Sequence, residues 1–491
     1  MYRHIAAKKE EIKRVIGEGP FRADWDSLKV YRAPSWYQEA KLGIFIHWGV
    51  YSVPGFDNEW YPRNMYRVGS PAYEHHVRTY GSPDKFGYKD FIPLFKAERF
   101  DADDWAALFK EAGAGFVVPV AEHHDGFPMY DCPYTPWNAA NMGPKRDVIG
   151  ELAAAMRKRF MTFGVSSHRA ENWWFYNGGR TTPSDVGDSA YAQLYGPAEP
   201  CRGDANLPEP LRQPTPEFLD DWLARTCDLI DRYGPQLLYF DWWIEQPAFR
   251  PYLQRLAAYY YNRAASWERE VVINYKFDAF EKGTAVYDME RGQLDDIQPM
   301  PWQTCTSVGE TAWCYVKGHR YKTPETIIGD LVDIVSKNGV LLLNVGPKPD
   351  GTIPEEERAI LKGIGAWLNR NGEAVFGTRP WKIYGEGPTR VVSGTFNDTK
   401  RASFTGEDIR FTTRGSTLYA TLLGKPGAER VFVRSLAEGN RLYEGEIADV
   451  RMLGDDAPLA WERTPEGLAV SIPARARESF GLSMRISRST P

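Results

Sequence analysis

Eight short apolar runs alternate with amphipathic stretches between about residues 40 and 375, and the pattern switches to short alternating segments after Trp381. Together these predict an α/β fold class, a (β/α)8-like TIM barrel followed by a C-terminal antiparallel β-sandwich domain. The length of 491 residues agrees, because a barrel of about 250 residues or more leaves room for a smaller second core. The expected division is residues 1–378 for the barrel and 379–491 for the sandwich.

The eight candidate strands are GIFIHWG (43–49), FVVPVAEHH (116–124), MTFGVSSH (161–168), QLLYFDWW (236–243), EVVINYKF (270–277), TAVYDMERG (284–292), MPWQTCTS (300–307) and GVLLLNVG (339–346). Runs this apolar suit strands buried on both faces. Between them lie helix candidates with start and stop chemistry: DADDWAALFKEAG with an acidic first turn, TPEFLDDWLARTCDLIDRYG, and TPETIIGDLVDIVSKNG closing on a glycine. The Pro-, Gly- and Asp-rich stretch 176–215 reads as a long loop able to contribute to a substrate rim. Beyond it, GTRPWKIYGEG reads as the interdomain connector. RVVSGTF, DIRFTTRG, STLYATLLG, RVFVRSLA, LAVSIPA and SMRIS read as sandwich strands.

A net charge of −5 with 25% charged residues offers no large basic field, which argues against a nucleic-acid partner and for a neutral or small substrate. Aromatics at 14%, with 17 Trp and 27 Tyr, supply flat rings for packing or for stacking on C–H-rich ligand faces. The five cysteines are odd in number and lack CxxC spacing, so reduced thiols are expected rather than a disulfide framework or zinc knuckle. No apolar run approaches membrane-spanning length, and MYRHIAAKKEEIKRVIGEG has no signal-peptide core. A cytoplasmic enzyme is expected, or a secreted or periplasmic one whose leader has been removed. The sequence carries no sign of oligomeric state.

Barrel enzymes carry their chemistry at strand C-termini, and here six apolar runs end in ionisable residues. They are His47; Glu122, His123, His124 and Asp125; His168; Asp241; Lys276; and Glu290. Asp241, between Phe240 and Trp242, is the candidate nucleophile of a glycosidase that needs a second carboxyl about 5 Å away. Glu290 in YDMERG is the preferred acid, since apolar walls around a strand end keep a carboxyl protonated; Glu281 and Glu245 are the reserves. Adjacent His123 and His124 are expected to point to opposite sides of a strand, which disfavours their sharing a metal. With His47, Glu59 and Trp60 they suit a sugar-binding mouth, with Trp48 or Trp60 covering an apolar sugar face. Neither a GxSxG elbow nor a GxGxxG or GxxxxGK[ST] phosphate loop is present.

At these residues the chain resembles the α-L-fucosidases of glycoside hydrolase family twenty-nine. The resemblance spans about Trp36 to Trp381 and rests on WYQEAKLGIFIHWGVYSVPGFDNEWYPRNMY, VAEHHDGFPMYDCPYTPWNA, GPKRDVIGEL, LLYFDWW, PWQTCTSVGETAWCY and LLLNVGPKPDGTIPEEERAILKGIGAWLNRNGEAVFGTRPW in that order. It implies a catalytic barrel with a β-sandwich, no metal or organic cofactor, and release of L-fucose with retention from fucosylated oligosaccharides or glycoconjugates. His47, Glu59, Trp60, His123 and His124 fall on its fucose-contacting positions, Asp241 on its nucleophile, and Glu290 on the preferred acid/base. The chain departs from the family at SSHRAENWWF, where His168 or Glu171 stands in for a usual tyrosine contact. Lys276 replaces a frequent arginine, and Trp302-Gln303 replaces a frequent Trp-Glu, which removes an alternative acid. Two rivals are a related retaining glycosidase acting on an α-L-galactoside, decided by the polarity around C6, and a carbohydrate-binding barrel without turnover.

Overall fold

The computed structural model describes residues 2–202 and 209–489. Eight parallel strands close into a barrel: Leu42–Ile46 (β1), Phe116–Glu122 (β2), Thr162–Ser167 (β3), Leu237–Phe240 (β4), Val272–Tyr275 (β5), Val286–Glu290 (β6), Trp302–Ser307 (β7) and Gly339–Val345 (β8). Each strand pairs with its sequence neighbours, and β8 returns to β1 with Leu42 opposite Leu341 and Ile46 opposite Val345. Seven fall within the runs expected from the sequence, and β1 starts one residue before its run, at Leu42. Every residue of β1, β2 and β8 is buried, as a sheet covered on both faces requires.

The outer layer is built from Tyr2–Glu18 (α1), Ala102–Glu111 (α2), Val148–Lys158 (α3), Pro216–Tyr233 (α4), Arg250–Ser266 (α5), Pro324–Ser336 (α6) and Glu355–Asn371 (α7). Their starts are fixed locally: Asp101 accepts from the backbone N–H of Asp103 and Asp104, Thr215 from Phe218, and Thr323 from Thr326. The charged opening segment is helix α1, tied to α4 and α5 by ion pairs Lys8–Asp231 at 2.7 Å and Glu11–Arg263. Among the described residues no helix follows β5 or β6, so these strands run directly into short turns.

The C-terminal part is a sandwich of two antiparallel sheets. Its strands are Arg379–Glu386 (β9), Ile409–Arg414 (β10), Thr417–Leu422 (β11), Arg430–Val433 (β12), Ile447–Met452 (β13), Ala457–Pro458 (β14), Trp461–Thr464 (β15), Gly467–Ser471 (β16) and Ser483–Arg488 (β17). The sheet orders are β9-β10-β11-β17-β13-β14 and β12-β16-β15. Between them lies a core of its own that includes Phe411, Leu418, Val433, Val450, Leu468 and Ile486.

Three expectations are corrected. The segment read as a connector is strand β9, whose Trp381 and Ile383 alternate onto the sandwich core. Pro380 is tolerated there because β9 is an edge strand. Conversely RVVSGTF (390–396) forms no strand; its single bridge, Gly394 to Gln293, ties it to the barrel. The stretch 176–215 folds into short turns, the helix Ala192–Tyr195 and a two-residue hairpin of Cys201–Arg202 with Glu209–Pro210; residues 203–208 lie outside the described residues.

Candidate active site

In a parallel barrel all strand C-termini open on one side, so the residues just past them converge. A cavity of about 760 Å³ lies there. It is lined by His47 after β1, His123 and His124 after β2, His168 after β3, Asp241 and Trp242 after β4, Lys276 after β5, and Glu290 at the end of β6. Loops add Glu59, Trp60 and Trp313. The turns beneath are sharp: Trp243, Phe277 and Arg291, each one or two residues past a site residue, have φ of 77°, 55° and 46°. Non-glycine residues rarely accept that region, and they do so where surrounding structure enforces it.

Asp241 and Glu290 share one cation. Lys276 Nζ donates to Asp241 Oδ1 at 2.7 Å and also to Glu290 Oε2. Two acceptors on one ammonium lie within about 6 Å of each other, the sum of two hydrogen bonds. Burial pushes the Asp241 carboxyl up, but Lys276, His168 and His124 outweigh it and hold Asp241 well below the ordinary range, so it is ionised. Glu290 is raised, first by burial and then by the Asp241 charge, against the opposing pull of Lys276. The two carboxyls are thus driven apart in acidity by their surroundings.

The histidines divide into one cation and three neutral rings. His124 Nδ1 faces Glu171 Oε2 and the His168 carbonyl oxygen, each at 2.9 Å, and its Nε2 lies 3.5 Å from Asp241 Oδ2. Burial disfavours its charge, yet Glu171 and Asp241 prevail and raise it to about 9. His47 and His123 are held well below the ordinary value by burial, and His168 is lowered to about 4 for the same reason. His47 Nδ1 lies 2.7 Å from Asn344 Oδ1, which only accepts, so the proton sits on Nδ1 and Nε2 is left as an acceptor. Asn344 is itself oriented by donating to the Trp313 carbonyl oxygen at 2.6 Å and to Ser307 Oγ at 3.1 Å. His123 Nδ1 and both ring nitrogens of His168 have no hydrogen-bond partner, although His168 Nδ1 is 3.3 Å from Asp241 Oδ2. Buried polar atoms left unpaired beside a cavity are ready-made contacts for a hydroxyl-rich ligand.

Two sets of donors, His47 with His123 and His168, and His124 with His168 and Asp241, have ligand-type atoms all within 4.8 Å of one another. The second set contains the imidazolium of His124, a poor ligand. The walls are aromatic: Trp60 and Trp242 are parallel with centroids 6.3 Å apart, and Trp313 lies 5.2 Å from His47. The backbone N–H of Trp313 donates to Glu59 Oε2 at 2.9 Å, and burial raises the Glu59 carboxyl to about 7.

The family model for α-L-fucosidase matches residues 10–373. The chain belongs to the α-L-fucosidase family. It is thereby a glycoside hydrolase, and the retaining chemistry implied by the sequence resemblance stands with it. The tissue α-L-fucosidase of Mus musculus is 31% identical over 468 residues, covering 92% of this chain and 90% of that protein. The plasma α-L-fucosidase of Pongo abelii is 30% identical over 466 residues, covering 92% and 89%. Among solved structures, the Thermotoga maritima α-fucosidase in complex with a mechanism-based inhibitor superposes with a TM-score of 0.76 at 30% identity, covering 95% of this chain and 100% of that one. The same enzyme in complex with fucose gives 0.73 at 30% identity, with 95% and 99% covered.

All nine site residues expected from the sequence of this fucosidase line the one cavity. The reserve acids do not: Glu281 pairs with Lys29 at 2.9 Å, and Glu245 accepts from Gln246 at 3.3 Å. Trp48 is buried against Phe95, Phe100 and Trp105, so of the two tryptophans considered for the sugar face only Trp60 reaches the mouth. The expectation that His123 and His124 point apart fails, because β2 ends at Glu122 and strand alternation no longer applies; their rings lie 4.1 Å apart. Glu122 and Asp125 turn away from the cavity, Glu122 to Arg169 and Arg225, Asp125 to Tyr88. None of the described residues of 176–215 lines the cavity. Trp242 and Trp313 were within reach as tryptophans flanking site motifs, whereas Thr395, Phe396, Asp398, Thr399 and Lys400 carry no signal, since the sequence assigns them to the other domain.

Proposed function

We propose that this fucosidase removes terminal α-L-fucose from fucosylated oligosaccharides or glycoconjugates with Asp241 as nucleophile and Glu290 as acid/base. The observation that carries this is the bridging of both carboxylates by Lys276, which keeps them within about 6 Å of each other. That separation suits the roughly 5–5.5 Å of double displacement and falls short of the roughly 6.5–9.5 Å that inversion needs for an intervening water.

Asp241 attacks the anomeric carbon, the bond from C1 to the leaving oxygen breaks, and Glu290 gives that oxygen its proton. A fucosyl ester on Asp241 and a glutamate at 290 result. Esterification abolishes the Asp241 charge, one of the causes that raises Glu290, so the Glu290 carboxylate left by the first step stays ionised; in the second step it takes a proton from water as the water oxygen attacks C1 and Asp241 departs. Lys276 holds Asp241 ionised, His124 adds a second cation, and neutral His47, His123 and His168 present nitrogens to sugar hydroxyls. Trp60 offers a face for the apolar side of the sugar. Glu59, raised to about 7 by burial, is a rival proton donor in the same cavity.

The division of the chain at residues 378 and 379 and a cytoplasmic setting belong to the same reading. The separate cores support the first, although segment 390–396 between β9 and β10 returns to the barrel; five unpaired cysteines support the second. No helix of the described residues is long and apolar enough to cross a membrane.

The test is Asp241→Ala on a nitrophenyl α-L-fucoside. Turnover falls roughly a thousandfold or more, and azide restores part of it by forming β-L-fucosyl azide. Undiminished activity removes Asp241 from the role.

A further inference from the structure

Four aromatic residues among the described residues expose a large part of their surface, Phe160, Phe277, Phe396 and Phe432, and two of them, Phe277 and Phe396, line the catalytic cavity. Phe277 is 49% exposed and Phe396 52%, and both hold left-handed backbone, φ 55° and 54°. Exposed phenylalanines in so unfavourable a conformation call for a use.

Phe396 belongs to the linker between β9 and β10, which returns across the barrel mouth. Its N–H donates to the Glu290 carbonyl oxygen at 3.1 Å, and the N–H groups of Asn397 and Asp398 donate to the Arg291 carbonyl at 2.8 and 3.1 Å. Asp398 is buried between Lys322 Nζ and Thr306 Oγ1, each at 2.6 Å, and Arg291 Nε at 3.2 Å. A Cβ on Gly292 would lie 1.8 Å from the Gly394 carbonyl oxygen, so the two backbones are in direct contact. The linker is therefore fixed to the turn that carries Glu290. Phe277 comes directly after Lys276, just past β5, the strand that pairs with β6, and Lys276 itself binds Glu290.

We propose that Phe396 and Phe277 form an aglycone subsite that stacks the pyranose ring attached to fucose. This rests on Glu290 being the acid: the oxygen it protonates joins fucose to the next sugar, so that sugar leaves the cavity along the residues flanking Glu290. A pyranose with a C–H-rich face is the ligand that flat hydrocarbon rings at a wet mouth recognise. Lys400, Glu310 and Thr399 line the same cavity and supply polar groups for its hydroxyls.

The experiment compares kcat/KM on a fucosylated trisaccharide with that on α-L-fucosyl fluoride, whose leaving group fills no subsite. Phe396→Ala and Phe277→Ala each lose about fivefold to tenfold on the trisaccharide and nothing on the fluoride, and Phe396→Trp restores the trisaccharide rate. Equal losses on both substrates, or no loss on the trisaccharide, overturn the subsite. A wild type inert towards the fluoride instead overturns the catalytic reading, and the subsite with it.

Discussion

Lys276 is the residue on which the acidity of both carboxyls turns. Its charge lowers Asp241 and opposes the burial that raises Glu290. In Lys276→Met both groups lose that cation and titrate at higher pH. In the proposed roles Asp241 must be ionised and Glu290 protonated, so activity is lost below the first pKa and above the second. Both limbs of the pH profile of kcat/KM therefore move upward, and limbs that stay in place assign the titrations to other groups. The choice of proton donor is also a residue-scale matter. Glu290→Ala loses roughly a hundredfold or more on a natural linkage and far less on a nitrophenyl fucoside, whose leaving group needs little protonation. Glu59→Ala depresses both substrates alike. The reverse pattern transfers the acid to Glu59. Asp241, Glu290 and His168 were legible because each interrupts an apolar run at its C-terminal end; Glu59, in a loop, was grouped with the mouth beside Trp60 and supported by resemblance, without a strand-end signal of its own.

At the scale of elements, the end of β2 is anchored by buried charges to α4 and to the turn after β3. Glu122 Oε1 accepts from Arg169 Nη1 at 2.6 Å and Arg225 Nη1 at 3.3 Å, while Asp221 of α4 accepts from the same two arginines. Two acids and two bases balance, and they fix the turns that present His123, His124 and His168. Arg225→Leu leaves an uncompensated buried anion and costs about 3–5 kcal/mol in urea unfolding. Adding Glu122→Gln returns much of that loss if charge balance is the cause; no recovery points to packing instead. Strands β4 and β5 stop at Phe240 and Tyr275, shorter than their apolar runs; β4 ends where its neighbour β3 ends, with Phe240 opposite Ser167. The sequence pattern continues past that point and so overstates the strand.

For the whole molecule, the sandwich is fastened to the barrel by a second buried charge cluster. Arg410 Nε of β10 donates to Asp333 Oδ1 of α6 at 2.6 Å, and Lys337 Nζ donates to Asp333 Oδ2 at 2.7 Å. Arg410→Ala is expected to cost about 3 kcal/mol or more and to give an early melting component for the sandwich in scanning calorimetry. An endotherm identical to the wild type argues that the interface is held by apolar contacts such as Leu423 on the barrel core.

By itself the sequence determined the barrel, the sandwich and the carboxylate at the end of the fourth strand, because hydrophobic period and strand-end polarity are local properties of the chain. Tertiary structure alone decided that GTRPWKIYGEG pairs as an edge strand while RVVSGTF crosses the barrel mouth. Both segments have strand-forming composition, and only the presence or lack of a free sheet edge beside them separates the two outcomes.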